Sequence, residues 1–190
     1  MEENTRGATG DPAAGAGPTA GPGATRTSLT VRPARPEDVD GVWALLGEFA
    51  AYEGLEQSVT GSSERLAANL FGGAWPALEC LVAEDEGRLV GFAIVMGAYS
   101  TFWTRPLMWL EDLFVSGSHR GRGVGRALLA AVAALAVERD CPRVDWAVLD
   151  WNTPAMEFYE RLGAGRHGGW FTYRLEGDRL AALASEAGPP

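Results

Sequence analysis

The chain has 190 residues, with 16 Lys and Arg against 25 Asp and Glu, for a net charge of -9. That length suits one domain with a real core, and that charge argues against a general nucleic-acid or anionic-membrane binder. The two cysteines, Cys80 and Cys141, fit no disulfide framework and lack the spacing of a zinc site, so no metal is expected.

No apolar run reaches the length of a membrane span, and the N-terminus lacks a charged-then-apolar signal pattern. A cytoplasmic protein with no membrane partner is the expectation. Residues 1–27 are Gly, Ala, Pro and Thr with scattered charge and almost no large apolar side chain. Such a segment cannot offset the entropy of ordering, so it reads as a disordered leader before a domain over 28–187.

Structure begins with a short strand at 29–32. Pro36 stands at the first position of a helix, with Glu37 and Asp38 in its first turn. Val39, Val42, Trp43, Leu46, Phe49 and Ala50 follow at helical spacing, up to Tyr52-Glu53-Gly54. A second helix runs from Ser62 or Ser63 to Phe71 and stops at Gly72-Gly73. Strands over 79–84 and 89–96 flank Asp85-Glu86-Gly87, which makes an antiparallel hairpin. Residues 100–106 read as a loop, and 107–115 as a further strand.

A long helix over 123–139 buries Val124, Leu128, Val132 and Leu135. Then come a strand over 144–149 and a helix opened by Thr153 as its cap and Pro154 as its first residue. A last strand is expected over 170–175 and a short tail helix over 179–187. The order β-α-α-β-β-β-α-β-α-β predicts an α/β (α+β) fold: one mixed, mostly antiparallel sheet with helices on both faces.

Two stretches carry chemistry. In Leu110-Glu111-Asp112-Leu113-Phe114-Val115, two adjacent acids interrupt an apolar strand, which is costly unless they have partners or a task. Strict alternation points Leu107, Trp109, Glu111 and Leu113 one way and Met108, Leu110, Asp112 and Phe114 the other. The strand runs into Arg120-Gly121-Arg122-Gly123-Val124-Gly125-Arg126 and a helix. Helix N-termini leave backbone N–H groups unpaired and favour anions, and glycines let a pyrophosphate come close. No Lys-Ser/Thr pair follows, so this is not a Walker sequence, and the glycine spacing makes a poor dinucleotide fingerprint.

A strand followed by Arg120-x-x-Gly123-x-Gly125 resembles the acetyl-CoA motif of the GNAT acetyltransferases. The likeness extends in order through Val31-Arg32-Pro33-Ala34, Tyr52-Glu53, the acid-bearing strand, Trp151-Asn152-x-Pro154 and Phe158-Tyr159-x-x-x-Gly163-Ala164. This is the pattern of the diamine branch, the spermidine/spermine and thialysine acetyltransferases, and it covers about residues 29–187.

The resemblance implies the GNAT acyl-CoA N-acyltransferase fold and acetyl-CoA as co-substrate. It implies that Leu113, Phe114 and Val115, with Arg120 to Arg126 (Gly121, Arg122, Gly123, Val124 and Gly125 between them), hold the pantetheine and pyrophosphate. Asn152, Pro154 and Ala155 would also touch CoA. An alkylammonium, with a reference pKa of about 10.4, must lose a proton before it can attack. By resemblance Glu111 accepts that proton, and Asp112 contacts the amine or supports Glu111. Tyr52, Glu53 and Trp103 would line the amine channel, and Tyr159 would protonate the leaving thiolate.

The implied reaction is direct attack of a small primary amine on the thioester in a ternary complex, in a protein that works as a homodimer. In polyamine acetyltransferases the segment matching Gly165-Arg166-His167-Gly168-Gly169 tends to carry acids for the far cationic end. Arg and His here depart from that pattern, which puts long polyamines in doubt and leaves a diamine, a polyamine, a thialysine-like side chain or an unrelated small amine as the acceptor. Two other readings stand beside it: a protein or peptide N-acetyltransferase, and a non-catalytic acyl-CoA sensor, which would have no need of Glu111 and Tyr159.

Overall fold

The structure, a computed structural model, describes residues 29–73 and 78–188. The leader expected over 1–27 lies outside the described residues. The chain divides into two compact units, one up to Trp146 and one from Ala147.

The first unit is built on a five-stranded sheet in the order β1-β2-β3-β4-β5: Thr30–Pro33, Glu79–Asp85, Arg88–Ser100, Arg105–Val115 and Val144–Asp145. The first four strands are antiparallel neighbours, and β5 joins β4 in parallel. Helices α1 (Val39–Glu53) and α2 (Ser63–Phe71) belong to this unit, as does α3 (Val124–Glu138). The sheet is mixed and mostly antiparallel, as the order of elements predicts.

Each face of the sheet has its own core. On one, Leu81, Ala83, Val90, Ala93, Val95, Met108 and Leu110 pack with Val124, Leu128, Val132 and Ala136 of α3. On the other, Cys80, Val82, Phe92, Ile94 and Phe114 pack with Val42 and Leu45 of α1, and Leu66 and Leu70 of α2 lie against them. Phe92, Leu110 and Leu128 are fully buried, and each contributes about 1.5–3 kcal/mol from apolar burial alone. The stripe predicted for α3 holds, except that Ala136 takes the buried position and Leu135 is half-buried.

The helix ends follow local chemistry. Pro36–Asp38 forms a single 3-10 turn ahead of α1. Gly54, at φ 69°, closes α1 in the left-handed conformation. Ser62 caps α2 by accepting from the Arg65 N–H. Arg32 ties β1 to the start of α1 with bonds of 2.6 and 2.9 Å to the buried Asp38, and to β2 with 2.7 Å to Glu84. The guanidinium beside Asp38 holds that carboxyl below its usual range.

Strands β3 and β4 run further than their apolar content suggests. They take up both ends of the segment expected as a loop, residues 100, 105 and 106, and leave residues 101–104 as the turn. Gly91 allows β4 to come close: a Cβ there would stand 2.7 Å from the Phe114 carbonyl oxygen and 3.2 Å from Leu128.

The second unit contains α4 (Thr153–Arg161) and α5 (Gly177–Ala184). Asn152, not Thr153, caps α4, its side chain accepting from the Ala155 N–H at 3.3 Å. The cap lies one residue earlier than the sequence suggests, because Asn at this position reaches the third amide while Thr153 is already helical. The strand expected over 144–149 is cut to Val144–Asp145. The strand expected over 170–175 is absent: those residues are exposed and outside any sheet among the described residues. Its β-rich composition lacks the neighbouring strand whose backbone groups it would need.

Candidate active site

The acids of β4 sit at an irregularity in the ladder. Ala93 faces Leu113 and Ile94 faces Asp112, but Val95 faces Leu110. Glu111 is therefore the extra residue of a β-bulge. This corrects the alternation expected from sequence. Leu110 and Leu113, assigned opposite faces, both pack on the α3 side, while Phe114 packs on the α1 side. One inserted residue changes the parity of everything after it.

The bulge separates the environments of the two carboxylates. Glu111 is exposed, and its Oε2 accepts a bond of 2.7 Å from Trp109 Nε1. Asp112 is half-buried, in register with Ile94, which in turn faces Cys80. Residues directly opposite share a face, so Asp112 lies on the α1 side. Burial first, then the nearby charges of Glu111 and Glu53, push its carboxyl up to about 7. Burial also raises Glu53, the last residue of α1. Cys80 is buried, and its thiol is pushed up to about 12 by burial and by the charges of Asp38 and Asp112, so it is no nucleophile near neutrality.

Beyond Val115 the chain makes a short 3-10 turn at Gly117–His119 and then the glycine turn. Gly121 and Gly123 have φ of 72° and 85°, the region that favours glycine. Gly123 caps α3 and brings no side chain to its N-terminus. The first helical bond of that turn runs from the Ala127 N–H to the Gly123 carbonyl, so the N–H groups of Val124, Gly125 and Arg126 have no partner inside the helix. Open space stands where Cβ atoms at Gly121 and Gly123 would be. These donors, beside two glycines with open space around them, fit a pyrophosphate.

The arginines of the turn differ. Arg126 is exposed. Arg122 pairs with Asp85 at 3.4 Å, and His119 Nε2 stands 3.9 Å from the same carboxylate. The Arg120 guanidinium lies over the Tyr52 ring at 4.2 Å, and its Nε donates to the Val115 carbonyl at 2.9 Å. Sequence reasoning missed Asp85, which had only a turn signal, and Glu48, whose carboxylate accepts from Ser116 Oγ at 2.8 Å. The spacing of Glu48 and Tyr52, four apart on α1, was the available clue.

Trp103 lies at the far end of β4 from the acids. It sits half exposed in the β3–β4 turn, under the Arg143 guanidinium at 4.9 Å. Glu111 is six residues further along β4 than Arg105, about 20 Å at strand rise.

In the second unit, Tyr159 lies on α4 with its ring 5.1 Å from that of Phe158. Asn152 is buried at the start of that helix. Arg166 pairs with Glu160 at 3.0 Å, and His167 stacks on Trp170.

Comparison with known proteins finds relatives of this chain. Residues 50–164 match the Acetyltransferase (GNAT) family. The chain is 35% identical over 170 residues to a thialysine N-epsilon-acetyltransferase of Sus scrofa, covering 84% of this chain and 99% of the relative. It is 29% identical to an L-ornithine N5-acetyltransferase of Arabidopsis thaliana, covering 87% and 92%. Among solved structures, an integron cassette protein from the mobile metagenome of V. cholerae superposes with a TM-score of 0.70 at 27% identity, covering 84% and 99%.

Proposed function

Because the chain belongs to the Acetyltransferase (GNAT) family, we propose that it transfers an acetyl group from acetyl-CoA to the primary amine of a small molecule. The acceptor is a short diamine or a diamino acid of the thialysine and ornithine kind. Its similarity to a thialysine and an ornithine acetyltransferase supports this choice. So does the ion pair of Arg166 with Glu160, which puts a cation in the segment where a long polyamine would need acids.

The observation that carries the reading is the bulge at Glu111. It sets a carboxylate apart on a strand that ends four residues later, at Val115, with the glycine turn before α3 beginning nine residues on, at Arg120. In the proposed reaction, acetyl-CoA supplies the thioester and is held by the amides of residues 113–115 and 121–126. Arg122 and Arg126 add positive charge. Glu111 takes the proton of the ammonium, directly or through a water. The free amine attacks the acetyl carbon and the carbon–sulfur bond breaks; Tyr159 gives a proton to the leaving thiolate, and the second proton lost by the attacking nitrogen restores the Tyr159 phenol through solvent. Asp112 and Glu53 hold the ammonium before it loses its proton, with a charge that forms fully when the cation arrives. The exposed Trp170, Phe171 and Tyr173, at 77%, 86% and 92%, support a homodimer in which this segment is covered.

Tyr159→Phe tests the assignment. Turnover should fall by about 100-fold, the scale of one general acid, while CoA affinity by calorimetry stays close to wild type. Equal loss of turnover and CoA affinity would contradict the role.

A further inference from the structure

We infer that Arg120 is a positioning residue, which locks the amine-side end of α1 to the donor turn by clamping Tyr52. This rests on the acetyl-transfer reading above and assigns the Arg120 side chain a task other than binding phosphate.

Three contacts fasten the second half of α1 to the segment over 114–120. Glu48 accepts from Ser116 at 2.8 Å. Phe49 packs on Phe114 with ring centroids 5.4 Å apart. Tyr52 lies under the Arg120 guanidinium at 4.2 Å. Positions 48, 49 and 52 share one face of a helix, so this is one seam. Arg120 closes its far end. Its Nε–H is committed to the Val115 carbonyl, and its plane also reaches the Phe114 ring at 5.4 Å. A guanidinium between a strand-end carbonyl and two aromatic rings is oriented by all three, which an ammonium could not match.

The consequence lies one residue beyond. Glu53 follows Tyr52 as the last residue of α1, and its charge acts on Asp112. Whatever fixes Tyr52 fixes the carboxylate that meets the amine. The seam also joins the two substrates' halves of this unit: displacement of the glycine turn moves Tyr52, and with it Glu53. The Tyr52 face is occupied by Arg120, so the substrate ammonium meets carboxylates rather than that face of the ring.

The test is a double-mutant cycle with Arg120→Gln, Arg120→Lys and Tyr52→Leu in the full-length protein, reading the amine and acetyl-CoA dependences separately. Each single change should raise KM for the amine about fivefold, in keeping with loss of one cation–π contact. The double variant Arg120→Gln/Tyr52→Leu should be no worse than the weaker single. CoA affinity by calorimetry should change less than the amine KM, and Arg120→Lys should not rescue.

Multiplying effects in the double variant would overturn the inference. So would a rise confined to the acetyl-CoA KM that Lys rescues, which would make Arg120 a phosphate ligand. NMR provides a readout free of turnover. The Arg120 side-chain protons should be shifted upfield mainly by the nearer Tyr52 ring, and most of that shift should be lost in Tyr52→Leu, with the more distant Phe114 ring supplying the remainder. If wild type acetylates no amine, the functional reading fails, and the ring shift alone decides the clamp: its presence supports the clamp and its absence overturns it.

Discussion

At the scale of single residues, the two adjacent acids have different chemistry because one inserted residue turns them to different surroundings. Glu111 is exposed and hydrogen-bonded to Trp109, while Asp112 is half-buried with its carboxyl pushed up to about 7. For Glu111→Gln, kcat should fall and the pH optimum should move upward, since the ammonium must then lose its proton to solvent. An unchanged pH profile would remove Glu111 as the base.

Asp112 bears on stability. Its folded pKa lies above the unfolded value, so the folded state binds more protons and stability falls as pH rises from about 4 to about 7. Each pH unit in that window costs at most about 1.4 kcal/mol from this group. Asp112→Asn should therefore raise Tm at pH 8 more than at pH 4. An equal change at both would show that burial does not hold the proton on Asp112. Both acids, and their turning to opposite sides, were legible in the sequence; the bulge that leaves Glu111 exposed and Asp112 half-buried was not, because it leaves no composition signal and reverses the parity that alternation arguments rest on.

At the scale of elements, the sequence announced most of what local chemistry decides, although it set the α4 cap one residue late. Ser62 before α2, Gly54 after α1 and the i, i+4 stripe of α3 were legible because caps and periodicity are local. What depends on a neighbour was not. The segment over 170–175 has the composition of a strand but no partner strand among the described residues, and β5 keeps only two residues of pairing. The close approach at Gly91 was equally silent, since only the folded sheet shows the Phe114 carbonyl 2.7 Å from the missing Cβ. Gly91→Ala should destabilise by about 1–3 kcal/mol, the cost of overpacking against backbone that cannot yield. It should also weaken CoA binding, because the displaced strand end, Leu113 to Val115, is the proposed pantetheine platform. A variant with wild-type Tm in thermal unfolding would show that the strand pair absorbs a methyl group freely.

At the scale of the whole molecule, the described chain forms two compact units, and the proposed residues are divided between them. Glu111, Asp112 and the glycine turn precede Trp146; Asn152 and Tyr159 follow Ala147. The family match spans the division, from residue 50 to residue 164. The family and its fold were legible as an ordered series of short motifs. The proposed acceptor was less so, because in that reading specificity would rest on a few side chains such as Glu53, Arg166 and His167, whose surroundings are set by folding. The account stands on the acetylation of small primary amines, and the direct measurement is an amine panel with acetyl-CoA. Thialysine, lysine, ornithine, putrescine and spermidine would each be supplied at pH 8, with free CoA thiol and N-acetyl product quantified together. The account predicts one thiol released per N-acetylamine formed, with the diamino acids or putrescine turned over faster than spermidine. Thiol release that does not depend on the amine, or no acetylated product from any of the five, would contradict it.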